Sequence, residues 1–264
     1  MLVMLKKNRD ELNREAARII ASAVRRDPSL TLGLATGSTT VGVYAELARM
    51  HREEGLDFSR VVTFNLDEYV GLSAEYPQSF RYFMQQNLFR HINVNPANIH
   101  IPDGSRRGNY DEYCAAYEES IRQAGGIDLQ ILGIGRNGHI GFNEPASSLG
   151  SRTRLKALTQ ETLEDNRKFF SNAEEMPKCA ITVGIGTILE ARRIVLLAAG
   201  SSKAKAVARA IEGPITASVT ASALQLHPDV TFIVNEEAAG ELAQKDYYRR
   251  ILELTAEFTP SRLW

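Results

Sequence analysis

Cysteine is scarce in this 264-residue sequence, which holds only Cys114 and Cys179. A disulfide framework needs more of them in a smaller chain, so both read as reduced, packed thiols. Long apolar runs are missing too. No stretch approaches the roughly 18 apolar residues that cross a bilayer, so no membrane span is expected. The opening MLVMLKKNRD reaches charge after five residues, short of the roughly 7–15-residue apolar core of a signal peptide. The expected compartment is the cytoplasm. Charge of one sign is also lacking: the formal net charge is −1. That balance offers no electrostatic case for nucleic acid or an anionic membrane, although a local basic pocket is compatible with it.

What is present is an ordinary globular composition, 44% hydrophobic and 24% charged, in a chain long enough to bury a substantial core. No linker, repeat or low-complexity tract divides it, so residues 1–264 are expected to form one domain. Asn8 and Glu11 have capping-box spacing, and Leu12, Ala16, Ile19, Ile20, Ala23 and Val24 follow a helical period, which predicts a helix over 8–26. Short apolar strands are predicted at 30–35, 60–66, 97–101, 127–135, 179–185, 193–199 and 230–235. Helices are predicted at 39–52, 79–89, 108–124, 201–212 and 236–256. Alternating strands and helices imply an α/β fold, a three-layer Rossmann-like parallel sheet with helices on both faces. Residues 136–178 are the least regular, and such segments are usually functional or mobile.

Ligands of open α/β sheets bind beyond the carboxyl ends of the strands, and three strand ends are polar in a suggestive way. The first is Thr36-Gly37-Ser38-Thr39-Thr40. Gly37 permits close backbone approach, and the hydroxyls and N–H groups at a helix start suit an anion. The pattern lacks the GxxxxGK[ST] of a P-loop. An ordinary cap, with Ser38 or Thr39 satisfying the helix start, accounts for this motif equally well. The second is Asp67-Glu68, where side chains on an extended segment point opposite ways, so at most one enters a given site. Asp67 is the choice, and the alternative is a turn acid capping a helix. The third is Gly133 to Pro145, which contains a literal GxGxxG. Dinucleotide binding also requires a helix opening there and an acid about 20 residues onward, and neither is present. What the loop offers is His139 close to Asn137 and Glu144. Histidine shuttles protons near neutral pH, and a carboxylate or amide oxygen fixes its tautomer. With one histidine and no cysteine, the loop is a poor metal site, and no metal is expected. Lys203 opens a helix after another strand and suits a phosphate.

LGLATGST, VVTFNLDEYVGL, GIGRNGHIGFNEPASSLGSRTRLK, ITVGIGT and SALQLHP together resemble the glucosamine-6-phosphate deaminases of the glucosamine/galactosamine-6-phosphate isomerase family. The resemblance runs in order from about residue 30 to 235. It implies conversion of glucosamine 6-phosphate and water to fructose 6-phosphate and ammonia, without a cofactor. It implies Asp67 as the base moving a proton from carbon 2 to carbon 1, and His139, with Asn137 and Glu144, as the ring-opening group. Thr36, Gly37, Ser38, Lys203 and Lys168 match phosphate-binding positions. Ser147, Ser148, Arg154 and Lys156 resemble an activator site for N-acetylglucosamine 6-phosphate in hexameric relatives, so a homo-oligomer is expected. The sequence departs from that pattern at Asn137, where many relatives carry Asp. It departs again at Lys168, where many carry Arg and where Arg167 is the alternative, and at Ala157, which replaces a hydroxyl residue. The rival readings are a 6-phosphogluconolactonase, a galactosamine-6-phosphate deaminase, or a sugar-phosphate sensor. The sensor would need a DNA-binding segment, and the 29 residues before the first predicted strand show no helix-turn-helix pattern.

Overall fold

The computed structural model of the protein describes residues 1–167, 170 and 176–258. Seven strands form a parallel sheet: β1 (Leu2–Lys6), β2 (Thr31–Leu34), β3 (Val62–Asn65), β5 (Ile99–His100), β6 (Leu129–Gly133), β9 (Arg193–Ala198) and β10 (Val230–Asn235). Their order is β1-β10-β9-β6-β2-β3-β5. From β2 the chain winds outward through β3 to β5, then returns to the other side of β2 at β6 and winds away through β9 and β10. The direction reverses between β2 and β6, and the crevice above such a reversal is where doubly wound sheets bind ligands.

The strands are apolar on both faces. Within β9, Val195 and Leu197 pack with one core and Leu196 with the other; Ile233 and Phe232 of β10 divide the same way. One face is covered by α1 (Arg9–Arg26), α2 (Val41–Glu54) and α3 (Phe80–Asn87). The other is covered by α4 (Tyr110–Gln123), α6 (Ile185–Leu189) and α7 (Ala204–Ile211). Asn8 caps α1 as the sequence predicts, its Oδ1 accepting from Glu11 N (2.9 Å); the return bond differs from a capping box, because Glu11 accepts from Lys7 N (3.0 Å), one residue before the cap. Among the described residues no helix is long and apolar enough to cross a membrane.

The sequence reading differs from the structure in several places. β1 is a strand that the sequence reading, whose first strand is 30–35, does not predict; it pairs with β10 from Leu2↔Thr231 to Lys6↔Asn235. The 179–185 segment does not join the parallel sheet. Its strand β8 (Cys179–Thr182) is the centre of a separate antiparallel sheet between β4 (Asp67–Tyr69) and β7 (Arg154–Ala157). The stretch 136–178, expected to be irregular, contains β7 and helix α5 (Gln160–Arg167). The last helix, α8 (Lys245–Phe258), starts later than predicted, because Asn235 Oδ1 accepts from Ala238 N and Gly200 N (3.0 Å each), closing a turn there.

Candidate active site

Four neighbouring strands, β9, β6, β2 and β3, carry the candidate residues at their carboxyl ends. The turn at 36–40 follows β2, and Asp67 follows β3. The His139 loop follows β6, and Lys203 follows β9. One cleft of about 810 Å³ is lined by Thr36, Gly37, Ser38, Asp67, His139 and Lys203. The volume matches a small-molecule site.

One side of the cleft is the tight turn at 36–40. Gly37 takes φ 122°, a conformation that disfavours any side chain. Thr40 holds the turn by donating its N–H (3.1 Å) and its hydroxyl (3.0 Å) to the Gly37 carbonyl. Tyr44 O–H donates to the Ala35 carbonyl from below (2.5 Å). The ordinary-cap alternative, with Ser38 or Thr39, does not hold: the residue preceding α2 is Thr40, and among the described residues no side chain caps the helix start. The first N–H groups and the positive end of the helix dipole remain for an anion. Arg9, which the sequence reading missed, lines the same cleft and donates to the Ser38 carbonyl (3.4 Å). Arg9, Arg136 and Lys203 are the cations among the described lining residues, against Asp67 as the carboxylate.

Asp67 and Glu68 divide their roles as the strand alternation requires. Glu68 is buried and accepts from Tyr69 N, Phe80 N and Arg81 N, each at 2.9 Å, so of the two acids it is Glu68 that meets the start of α3, alongside the cap residue Ser79, whose Oγ accepts from Tyr82 N (3.0 Å). Asp67 faces the cleft, is 5% exposed, and accepts no hydrogen bond among the described residues. Its carboxyl is pushed up to about 8 by burial and then by the Glu68 charge. A carboxyl poised near neutral pH is what general-base work requires.

His139 is held from behind. Its Nδ1 lies 2.7 Å from Asn137 Oδ1 and 3.2 Å from Glu144 Oε2. Both partners are acceptors, so Nδ1 carries the hydrogen and Nε2 is left for a substrate. The amide orientation of Asn137 follows from chemistry: its Nδ2 points to Glu144 Oε2 (3.3 Å) and Glu161 Oε2 (3.5 Å), and carboxylates only accept. Thr162 Oγ1 donates to Glu144 Oε1. Burial would raise the Glu144 carboxyl. The hydrogen bond and charge of His139, with Thr162 and Asn137, overcome it and hold the group at about 2. The ring rests against Gly135, where an added Cβ would lie 2.3 Å from His139 Cε1. Tyr69, Phe80 and Phe142 form an apolar wall, with Phe80 and Phe142 stacked at 5.7 Å.

Asn137 and Glu144 thus reach the cleft through His139. Arg167 is exposed and does not line the cleft; Lys168 lies outside the described residues. Ser147, Ser148, Arg154 and Lys156 are also away from the cleft lining. Ser147 is buried, and among the described residues neither its hydroxyl nor Arg154 Nη2 has a hydrogen-bond partner, while Arg154 Nη1 donates to Asn143 Oδ1 (2.9 Å). Thr162, Glu161 and Arg9 carry no local motif, because each meets the site through a contact distant in sequence. Among the described residues no cluster of His, Cys, Asp and Glu could hold a metal ion.

An α/β protein that gathers a tight glycine turn, a buried carboxyl and a braced histidine in one cleft at the sheet's switch point holds the groups that acid–base chemistry on a small molecule requires. The chain belongs to the family of glucosamine-6-phosphate isomerases and 6-phosphogluconolactonases, whose pattern matches residues 6–232. It is 50% identical over 246 residues to a glucosamine-6-phosphate deaminase of Thermoanaerobacter pseudethanolicus, covering 93% of this chain and 97% of that one. It is 52% identical over 242 residues to one of Halothermothrix orenii, covering 92% and 100%. A solved monomeric glucosamine-6-phosphate deaminase superposes with a TM-score of 0.89 at 44% identity, covering 91% of this chain and 99% of that chain.

Proposed function

We propose that the chain isomerises and deaminates D-glucosamine 6-phosphate to D-fructose 6-phosphate and ammonia. The observation that carries this reading is the convergence of Asp67 and His139 on one cleft, with the 36–38 turn and Lys203 on the same lining. The relatives named as deaminases at about half identity favour it over the lactonase reading.

In this reading the phosphate docks on the 36–38 turn, the start of α2 and Lys203, with Lys168 as a further cation. The remote grip holds carbons 1 and 2 against the acid–base groups, and its binding energy goes into orientation. His139 Nε2 moves the proton between the ring oxygen and the anomeric hydroxyl, opening the ring to the aldehyde. Asn137 and Glu144 keep Nδ1 protonated, and the Glu144 charge stabilises the imidazolium that forms. Asp67 then removes the carbon-2 proton, giving an enolamine. Protonation at carbon 1 gives the carbon-2 imine; water adds to it and ammonia leaves. The protonated amine of the substrate, arriving beside Asp67, favours its charged form.

Ammonia release is measured on glucosamine 6-phosphate, on its 4-epimer and, as acid production, on 6-phosphogluconolactone. Ammonia from the first substrate alone supports the reading. Lactone hydrolysis without ammonia overturns it.

The reading extends to a second site around Ser147, Ser148, Arg154 and Lys156, favoured by the buried Ser147 hydroxyl and Arg154 Nη2, which have no hydrogen-bond partner among the described residues. It would take N-acetylglucosamine 6-phosphate as activator, at a contact between copies of the chain. Light scattering on the purified protein tests the assembly: a monomer, as that structural relative is described, limits any such site to one chain.

A further inference from the structure

We propose that Glu68 is a positioning residue for this reaction: its buried carboxylate ties the strand of Asp67 to the first turn of α3 and sets a fixed negative charge beside the base. The proposal rests on Asp67 being that base.

β4 is three residues long and pairs through Asp67↔Thr182 with β8 on one side only, as the edge of its sheet. A strand so short has few ladder bonds to fix it. Glu68 supplies the missing anchorage by accepting Phe80 N and Arg81 N, the first two N–H groups of α3, besides its neighbour Tyr69 N. The packing there leaves no slack: a Cβ on Gly104 would lie 3.0 Å from Glu68 Cγ and 2.2 Å from the Tyr69 carbonyl. Phe80 and Phe83 of α3 line the cleft. One carboxylate therefore registers the base on β4 against the apolar wall on α3.

The same placement sets the electrostatics. The groups facing the pair are Tyr69 on β4, Arg81 on α3, Tyr117 on α4, and His139 across the cleft. Burial drives the Tyr69 and Tyr117 hydroxyls well above their ordinary range, so both stay neutral. Burial raises the Glu68 carboxyl above its ordinary range, and the N–H groups of Phe80, Arg81 and Tyr69, with the Arg81 charge, pull against that rise; Asp67 has no such donors among the described residues. Of the two acids, Glu68 is therefore the one whose surroundings hold the negative charge, and that charge disfavours loss of the proton from Asp67.

Two variants separate reach from charge. Glu68→Gln keeps the length and removes the charge; Asp67 then deprotonates more readily, and the acid limb of kcat/KM moves to lower pH by about one unit. Glu68→Asp keeps the charge but falls a methylene short of Phe80 N and Arg81 N. Its acid limb stays in place while kcat drops at least about tenfold, as displacement of a catalytic group does. A Gln variant with native near-UV circular dichroism and an unmoved limb overturns the proposal, as does a Glu68→Asp variant with wild-type kcat. If the Gln variant does not fold, carbon-13 titration of the wild-type carboxyls decides. Asp67 and Glu68 titrating as a coupled pair supports the proposal, and two independent single-step curves overturn it. Asp67→Asn is assayed alongside: wild-type turnover in that variant removes the base assignment itself, whereas a dead variant with an unmoved Gln limb removes only the role of Glu68.

Discussion

Replacing Gly135 by Ala tests the histidine without touching a titratable group. The backbone there permits alanine, since Gly135 is not among the glycines with positive φ. The obstacle is the ring itself: the new Cβ would sit 2.3 Å from His139 Cε1 and 2.5 Å from both ring nitrogens. Ordinary contact begins near 3.4 Å, so the imidazole has to retreat by about 1 Å. Its Nδ1 is bound to Asn137 Oδ1 at 2.7 Å and to Glu144 Oε2 at 3.2 Å, and the loop is pinned by Gly135 N–H to the His139 carbonyl (2.9 Å) and by Ala221 N–H to the Gly138 carbonyl (3.0 Å). The ring cannot move that far and keep both partners. A misplacement of about 1 Å costs about 10²-fold in turnover, so kcat is expected to fall by about that factor. KM should change little, because the phosphate turn lies on another strand end. The assay is ammonia release at saturating substrate, repeated in a His139→Gln background. There the alanine should add almost nothing, because both changes disable one unit. A folded Gly135→Ala enzyme within about threefold of wild type, or full additivity with His139→Gln, refutes the reasoning.

Three further outcomes follow from the same geometry. Asp67→Asn should bind fructose 6-phosphate nearly as wild type by calorimetry while losing more than about 10²-fold in kcat, the range for a positioned base; retained turnover rules Asp67 out. Lys203→Ala should raise KM for the phosphosugar about tenfold or more with a smaller change in kcat, as loss of a charge-assisted phosphate contact does; an unchanged KM removes it from the phosphate site. The Glu144 carboxyl is held at about 2 against an ordinary 4.5, so its contribution to stability is present above the unfolded value and is lost as pH falls from 4.5 toward 2. Urea midpoints measured down that range should decline less steeply in Glu144→Gln than in wild type, and equal slopes contradict the assignment.

The parts of the fold that the sequence makes legible are those where one physical cause dominates. The buried strands β2, β6, β9 and β10 are apolar on both faces and bounded by turn residues, and a helix such as α1 shows both its period and its cap. Asp67, His139 and the 36–38 turn are legible because strand ends of a doubly wound sheet are where ligands go. The rest depends on partners. β8 is as apolar as a parallel strand, and composition does not say that it will pair antiparallel with β4 and β7. β4 and β7 are three and four residues long, too short for a period. Thr162 reads as one more threonine until α5 places it on Glu144. Which acid of the Asp67-Glu68 pair meets the helix start is settled only by where α3 begins.

Arg154 offers the sharpest test of a second site. Its guanidinium is half-buried and faces no carboxylate partner among the described residues; burial holds its pKa below the ordinary value, which is the mark of a cation short of an anion. Its Nη1 donates to Asn143 Oδ1 (2.9 Å) and to the Arg152 carbonyl (3.1 Å), and the first of these links it to the His139 loop. Asn143 is fully buried. It donates to the Ile140 and Val183 carbonyls (3.0 and 2.8 Å), and its own carbonyl accepts from Thr220 Oγ1 (2.7 Å). Glu144, which braces His139, is the next residue. A phosphate bound at Arg154 would compete for the guanidinium and slacken or re-aim that contact, so the two sites have a physical route for coupling. Coupling of this kind is reciprocal: if N-acetylglucosamine 6-phosphate tightens the binding of fructose 6-phosphate by some factor, fructose 6-phosphate must tighten its binding by the same factor. Calorimetry of each ligand with and without the other measures both factors. Equal factors above one in the wild type, falling to one in Arg154→Ala, establish the site. No heat of binding for N-acetylglucosamine 6-phosphate beyond competition at the cleft means that Arg154 serves only to hold Asn143.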